Sequence, residues 1–179
     1  MAVHPESTGL RRPEVSPADA ERIARERYGL AAVATELGSN QDRNFVLTEE
    51  GGRRTVLRVD NPVFAQSARD AQFAALAAYE AAGVPVPAAL PGLDGELTQL
   101  DGPYAVRLSA FVPGEPLVDA GYLAPVVLAE FGALAARSVN ALAGLAHPGL
   151  DREHMWDLRR AHAETTALLG SISDPALRE

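Results

Sequence analysis

Hydrophobic and polar positions along the chain change period several times, and the changes mark the elements. Ser16 reads as an N-cap, Pro17 sits at the first helical position, Asp19 falls in the first turn and Gly29 is placed to stop the helix. This predicts a short helix over 18–28 with Ile23 facing inward. Beyond Gly29 the pattern predicts strands over 31–37, 44–48 and 55–60, the last alternating apolar and polar as Thr-Val-Leu-Arg-Val-Asp. A polar loop over 38–42 joins the first two, Glu49-Glu50-Gly51-Gly52 makes a hairpin connection, and Asn61-Pro62 ends the third. An Ala- and Leu-rich helix is predicted over 67–82, stopped by Gly83, Pro85 and Pro87. A second hairpin follows, 96–100 and 104–111, turned at Asp101-Gly102. The connector Val112-Pro113-Gly114-Glu115-Pro116 then leads into helices over about 122–145 and 152–169, with Asp151 as a cap and Gly170 at the end.

The order predicts an α+β chain: a five-stranded, mostly antiparallel sheet with one packed helix, followed by a helical region. The boundary falls at Pro113-Gly114. Residues 1–15 read as a loose tail, 16–112 as the sheet domain with its leading helix, and 113–179 as the start of the helical part. That part reads as unfinished. Between Leu123 and Ala146 the only charged residues are Glu130 and Arg137, and a helix apolar nearly all round must be surrounded by protein. The pattern therefore predicts association through exposed apolar helices or continuation in a longer polypeptide.

Composition narrows the chemistry. The 179 residues include no Cys, which excludes thiol nucleophiles and thiolate metal sites and fits a reducing compartment. With no signal-type apolar core near Met1 and no run long enough to span a bilayer, the expectation is a cytoplasmic protein without membrane attachment. A net charge of −8 argues against general nucleic-acid binding. All 16 basic residues are Arg. Without Lys there is neither a Walker-A loop nor a Schiff-base lysine. GxSxG is absent. His154, Asp157 and His162 are spaced too widely for a convincing metal site and read as solvated helix residues.

Five stretches, in order and spacing, carry a resemblance: Gly38-Ser39-Asn40-Gln41-Asp42-Arg43-Asn44-Phe45, Val56-Leu57-Arg58-Val59, Gly83-Val84-Pro85-Val86-Pro87, Leu108-Ser109-Ala110-Phe111-Val112-Pro113-Gly114-Glu115-Pro116-Leu117 and His154-Met155-Trp156-Asp157-Leu158. The chain resembles the aminoglycoside-phosphotransferase and choline-kinase superfamily, in the branch similar to hydroxylysine kinases that also occurs fused ahead of class III aminotransferases. The resemblance covers the N-terminal lobe and the start of the C-terminal lobe. It implies a protein-kinase-like N-lobe that binds ATP, and a family activity of ATP-dependent phosphorylation of a hydroxyl on a small amine-bearing molecule, whose identity the sequence leaves open.

The same resemblance assigns roles. Ser39, Asn40 and Gln41 would form the tip of a loop over the nucleotide, offering backbone N–H groups to phosphate oxygens; the alternative is an ordinary turn. The third strand of this fold carries a Lys for the α- and β-phosphates. Here Arg58 takes that place, cationic and forked but bulkier and planar, unless it simply faces solvent. The packed helix should supply a Glu to fix the cation; Gln72 stands there, with Asp70 beside it, and a solvent-facing Gln72 is the alternative. At the hinge, Ser109 C=O and Phe111 N–H would bind adenine, with Val46, Val56, Val84 and Leu108 lining its slot or simply belonging to the core.

Transfer in this superfamily also needs a motif resembling His-x-Asp-x-x-x-x-Asn and a later Asp for Mg²⁺. His147 is followed by Pro148-Gly149, and His154 has Trp156 two places on, with Asp157 one place too far. The expectation is a chain that holds ATP without turning over alone, with no catalytic or metal-binding residue of its own and Mg²⁺ engaged only with a C-lobe that is missing. The alternative is a degenerate, non-catalytic module that binds nucleotide or a protein partner.

Overall fold

The computed structural model describes residues 10–117, 120–151, 157–174 and 176. Helix α1, Pro17–Tyr28, begins with a capping box in which Ser16 and Asp19 satisfy each other's backbone N–H groups, and ends at Gly29 in the left-handed region, φ 67°. Strands β1 (Ala32–Leu37), β2 (Arg43–Glu49) and β3 (Arg54–Val59) form an antiparallel meander. Helix α2, Gln66–Ala81, follows, then β4 (Ala89–Leu90), β5 (Thr98–Asp101) and β6 (Tyr104–Ala110).

The sheet runs β1-β2-β3-β6-β4, with β5 also paired to β6. The register on one edge of β6 includes Leu57↔Leu108 and Arg58↔Arg107 with β3, and on the other Leu90↔Leu108 with β4 and Thr98↔Arg107 with β5. The sheet thus has six strands where five are predicted. The extra one is two residues long and set among prolines, too short to show a period. The hairpin strand predicted from Glu96 begins at Thr98.

Alternation divides the sheet into two faces. Phe45, Leu47, Leu57, Val59 and Val106 are fully buried and form the core with Ile23 and Ala24 of α1. Polar ties pin the same helix. The Tyr28 hydroxyl donates to Val106 O at 3.1 Å, Glu21 accepts from Ala34 N–H at 3.0 Å, and Arg22 grips both oxygens of Asp101 at 3.1 and 2.9 Å. Burial pushes the Tyr28 hydroxyl pKa upward. The residues between the core positions, Val56, Arg58, Arg107 and Ser109, face the other way, toward α2.

Residues 10–15 are not the loose end that the sequence predicts. Pro13 and Val15 are buried, and three backbone or side-chain bonds from this segment reach the loop and strands beneath it. The physical reason is that Pro13 has no N–H to satisfy, so it is buried without leaving a donor unpaired.

The helical part begins with α3, Pro125–Leu142, none of whose residues is buried. Phe131 is 62% exposed and Val126 67%. A 3-10 turn over Pro148–Leu150 packs on α2, with Gly149 so close to Ser67 O that a Cβ there would lie 1.8 Å from it. Of the helix predicted over 152–169, residues 152–156 lie outside the described residues; after them a 3-10 turn over Leu158–Arg160 opens α4, Ala161–Leu168. Asp157 caps that turn at its start by accepting from Arg159 N–H, and the Arg159 guanidinium holds the Asp157 pKa down at about 2. His154, Met155 and Trp156 lie outside the described residues. Among the described residues no helix is long and apolar enough to cross a membrane.

Candidate functional site: a cleft between the sheet and α2

Helix α2 stands off the polar face of the sheet and leaves a cleft of about 340 Å³, lined by Arg58, Gln72, Phe73, Leu76, Arg107 and Ser109 among others. The strand periodicity that buries Leu57 and Val59 turns Arg58 onto the cleft floor. Its side chain is 40% exposed. Arg58 Nη2 donates to Asp42 Oδ2 at 2.5 Å, and its Nε lies 3.1 Å from Asp60 Oδ1. The Nη1 edge has no partner among the described residues.

Gln72 is in the cleft but does not hold Arg58. Its Oε1 accepts from both Nη1 and Nη2 of Arg107, at 3.1 Å each. Arg107 is the direct cross-strand neighbour of Arg58, is 8% exposed, also donates to Asp60 Oδ1 at 2.6 Å, and lies 5.5 Å from the centre of the Phe73 ring. The residue on α2 that resembles an anchor for the β3 cation therefore anchors the β6 cation instead. Two arginines and two aspartates form one network across β2, β3 and β6, and their formal charges cancel. Such a network rigidifies the cleft floor, because every buried carboxylate in it needs its cation.

The loop between β1 and β2 rises beside Arg58. Asp42, 5% exposed, accepts from Asn61 N–H at 2.8 Å as well as from Arg58, and its own N–H donates to Ser39 Oγ at 3.2 Å. Asn61 Nδ2 donates to Gln41 O at 3.0 Å. The N–H groups of Ser39, Asn40 and Gln41 have no acceptor among the described residues. Three consecutive amides without acceptors, in a loop tied to the Arg58 guanidinium through Asp42, suit an anion with several oxygens.

At the other end of β3, Arg54 stacks its guanidinium 3.9 Å from the centre of the Phe111 ring, on the connector that leaves β6. The Phe111 N–H has no acceptor among the described residues. Ser109 lines the cleft and pairs with both Val56 and Ala89. Of the apolar residues expected around a base, Val46 and Val56 pair across β2 and β3 with their side chains half-buried on the cleft face. Leu108 belongs chiefly to the core with Leu57, and Val84 is buried at 7% exposure. Asp70 is exposed on α2 and borders a different hollow, shared with Arg69 and Thr98.

Sequence reasoning thus missed Asp42, Asp60 and Arg107. Asp42 and Asp60 carried one signal, an acidic residue in a loop or strand end within two places of a candidate cation or its loop. Arg107 carried none, since an Arg in a strand reads as solvent-facing until the register sets it beside Arg58.

A twisted antiparallel sheet with a helix behind it, a cation on the third strand, a loop over that cation and an extended exit after the last strand together define a protein-kinase-like N-lobe followed by helices. The chain belongs to the phosphotransferase enzyme family APH, whose match runs over residues 33–179. No curated protein matches it in sequence. Solved structures that share the fold include three kinases. The amicoumacin kinase hAmiN, in complex with AMP-PNP, Ca²⁺ and Ami, has 13% identity and a TM-score of 0.67 over 84% of this chain and 49% of that one. A microcompartment-associated aminopropanol kinase has 20% identity and a TM-score of 0.60, over 87% and 55%. The spectinomycin phosphotransferase APH(9)-Ia, in complex with ADP and spectinomycin, has 8% identity and a TM-score of 0.58, over 91% and 60%. The chain spans about half to three-fifths of the length of these structures.

Proposed function

We propose that the cleft binds ATP and that the chain is the nucleotide-binding portion of a small-molecule kinase acting on a hydroxyl of an amine-bearing substrate. The observation that carries this reading is the pairing of the open amides at Ser39, Asn40 and Gln41 with the unpartnered edge of Arg58. Phosphate oxygens would lie there. The base would lie toward Ser109 and the free N–H of Phe111, four residues back along β3, or about 13 Å at strand rise. Gln72 would act at one remove, by holding Arg107 beside Arg58. The adenine nucleotides bound by two of the similar structures support the cofactor, and the aminopropanol kinase supports an amino alcohol as the substrate class.

His-x-Asp-x-x-x-x-Asn does not occur in the 179 residues. No cluster of His, Cys, Asp or Glu among the described residues fits a metal ion. By itself the chain is expected to bind nucleotide without transferring phosphate. A second reading, a non-catalytic module for nucleotide or partner binding, is favoured by one feature: Asp42 and Asp60 already occupy Arg58.

Calorimetric titration of ATP with Mg²⁺ into the purified chain tests the cradle. Arg58→Ala is expected to weaken binding at least about tenfold, the scale of a charge-assisted contact to phosphate. Equal affinity in that variant removes the reading.

A further inference from the structure

The segment Arg11-Arg12-Pro13 lies ahead of residue 33, where the family match begins, yet it is bonded to the β1–β2 loop, to the first residue of β2 and to Asn61 after β3. Arg12 Nη1 donates to Ser39 O at 3.2 Å and lies 3.6 Å from Glu36 Oε1. Arg43 Nε, from the first residue of β2, donates to Pro13 O at 3.1 Å. Asn61, 3% exposed, uses one amide group to donate to both Arg11 O and Gln41 O, at 3.0 Å each. The N-terminal strap, the β1–β2 loop and the turn after β3 therefore meet at one buried side chain.

The strap and the cleft lie on opposite sides of the sheet. Pro13 and Val15 are buried, Val15 among the core residues shared with α1, whereas Arg58 and Arg107 face α2. A trans peptide directs its C=O and its N–H in opposite directions. When Arg12 holds Ser39 C=O toward the strap, the N–H of Asn40 in the same peptide unit must point away from it. Asn61 constrains the next-but-one unit similarly through Gln41 O. Of the three open amides these bonds therefore direct one, the Asn40 N–H, away from the strap; the unit held through Gln41 O carries the Asp42 N–H, which is bonded to Ser39 Oγ.

We propose that the 11–13 strap is a positioning element for nucleotide binding, with Arg12 as the residue that sets the direction of the Asn40 amide through Ser39. The inference rests on the nucleotide reading of the cleft. Arg12 touches no nucleotide; it acts through Ser39. The strap takes over a task that glycine-rich loops perform by backbone conformation alone, here in a loop whose only glycine is Gly38.

The test compares the full chain with Arg12→Ala and Arg12→Lys. Three quantities are measured: ATP affinity by calorimetry, Tm, and backbone ¹⁵N order parameters at Asn40 and Gln41 without nucleotide. Arg12→Ala is expected to weaken ATP binding about tenfold and to lower the order parameters toward the flexible range, below about 0.6, with Tm little changed. Arg12→Lys, which keeps a charged donor, is expected to recover most of both. Order parameters unchanged in Arg12→Ala overturn the inference. So does a loss of affinity that follows a fall in Tm in both variants, since that is a merely structural role. If the parent chain binds no ATP, the nucleotide reading fails, while the order parameters still decide whether Arg12 directs the loop.

Discussion

Arg107 shows how a single side chain can join two layers. It is almost fully buried, bonded to Asp60 on β3's end and to Gln72 on α2, with the Phe73 ring beside it. Removing it leaves Asp60 with one cation instead of two and leaves Gln72 Oε1 without a donor. Arg107→Met is therefore expected to destabilise the chain by about 3 kcal/mol in urea unfolding, near the lower end for breaking a buried charged pair. Arg58→Ala, whose side chain is more exposed, is expected to cost less stability and more affinity. The contrast between these two cross-strand neighbours tests whether one holds the cleft together while the other serves the proposed nucleotide. Arg58 was legible because strand alternation and its place in the third strand both point to it. Arg107 was not, because cross-strand register is a long-range property that no local pattern encodes.

Among elements, α1 is the best specified by local sequence and the most firmly tied. Its Ser16 N-cap, its Pro at the first turn and its terminal Gly are each visible in the residues and occur as read, and the structure adds that Asp19 closes a capping box with Ser16. The tie from Arg22 to Asp101 on the β5–β6 hairpin is not visible, being a contact over 79 positions. That contact, as a hydrogen bond and then as a nearby charge, lowers the Asp101 pKa. The folded state thus binds this proton less readily than the unfolded chain, so the stabilisation is present above the ordinary carboxylate pKa of about 3.9 and is lost as pH falls through the lower folded value. Asp101→Asn is expected to lower Tm by a few degrees at pH 7. Melting curves should show the gap to the parent closing as the pH is taken below about 4. A gap that stays constant with pH would count against the ion pair.

Over the whole molecule the two parts differ in how they are finished. The sheet has a closed core against α1 and an organised cleft against α2. The helical part has α3, with Glu130 and Arg137 its only charges and Val127, Leu128 and Phe131 exposed on neighbouring turns. A contiguous apolar patch of this kind binds hydrophobic dyes and favours association. The chain is expected to enhance dye fluorescence and to elute in a concentration-dependent way from size-exclusion columns. Phe131→Lys, at a position 62% exposed, should reduce both without lowering Tm.

Local residue order determined the helix ends, the strand alternation, the turn at Asp101-Gly102 and the cation on β3, because capping, pleat and turn chemistry act over a few residues. The resemblance of five short stretches then placed them in a phosphotransferase lobe. Tertiary structure decided what those stretches lack: that Gln72 serves Arg107, that Asp42 and Asp60 share Arg58, and that residues 11–13 reach the β1–β2 loop. Each of these joins groups far apart in the chain, and only the pairing of strands and the burial of Pro13 bring them within hydrogen-bonding distance.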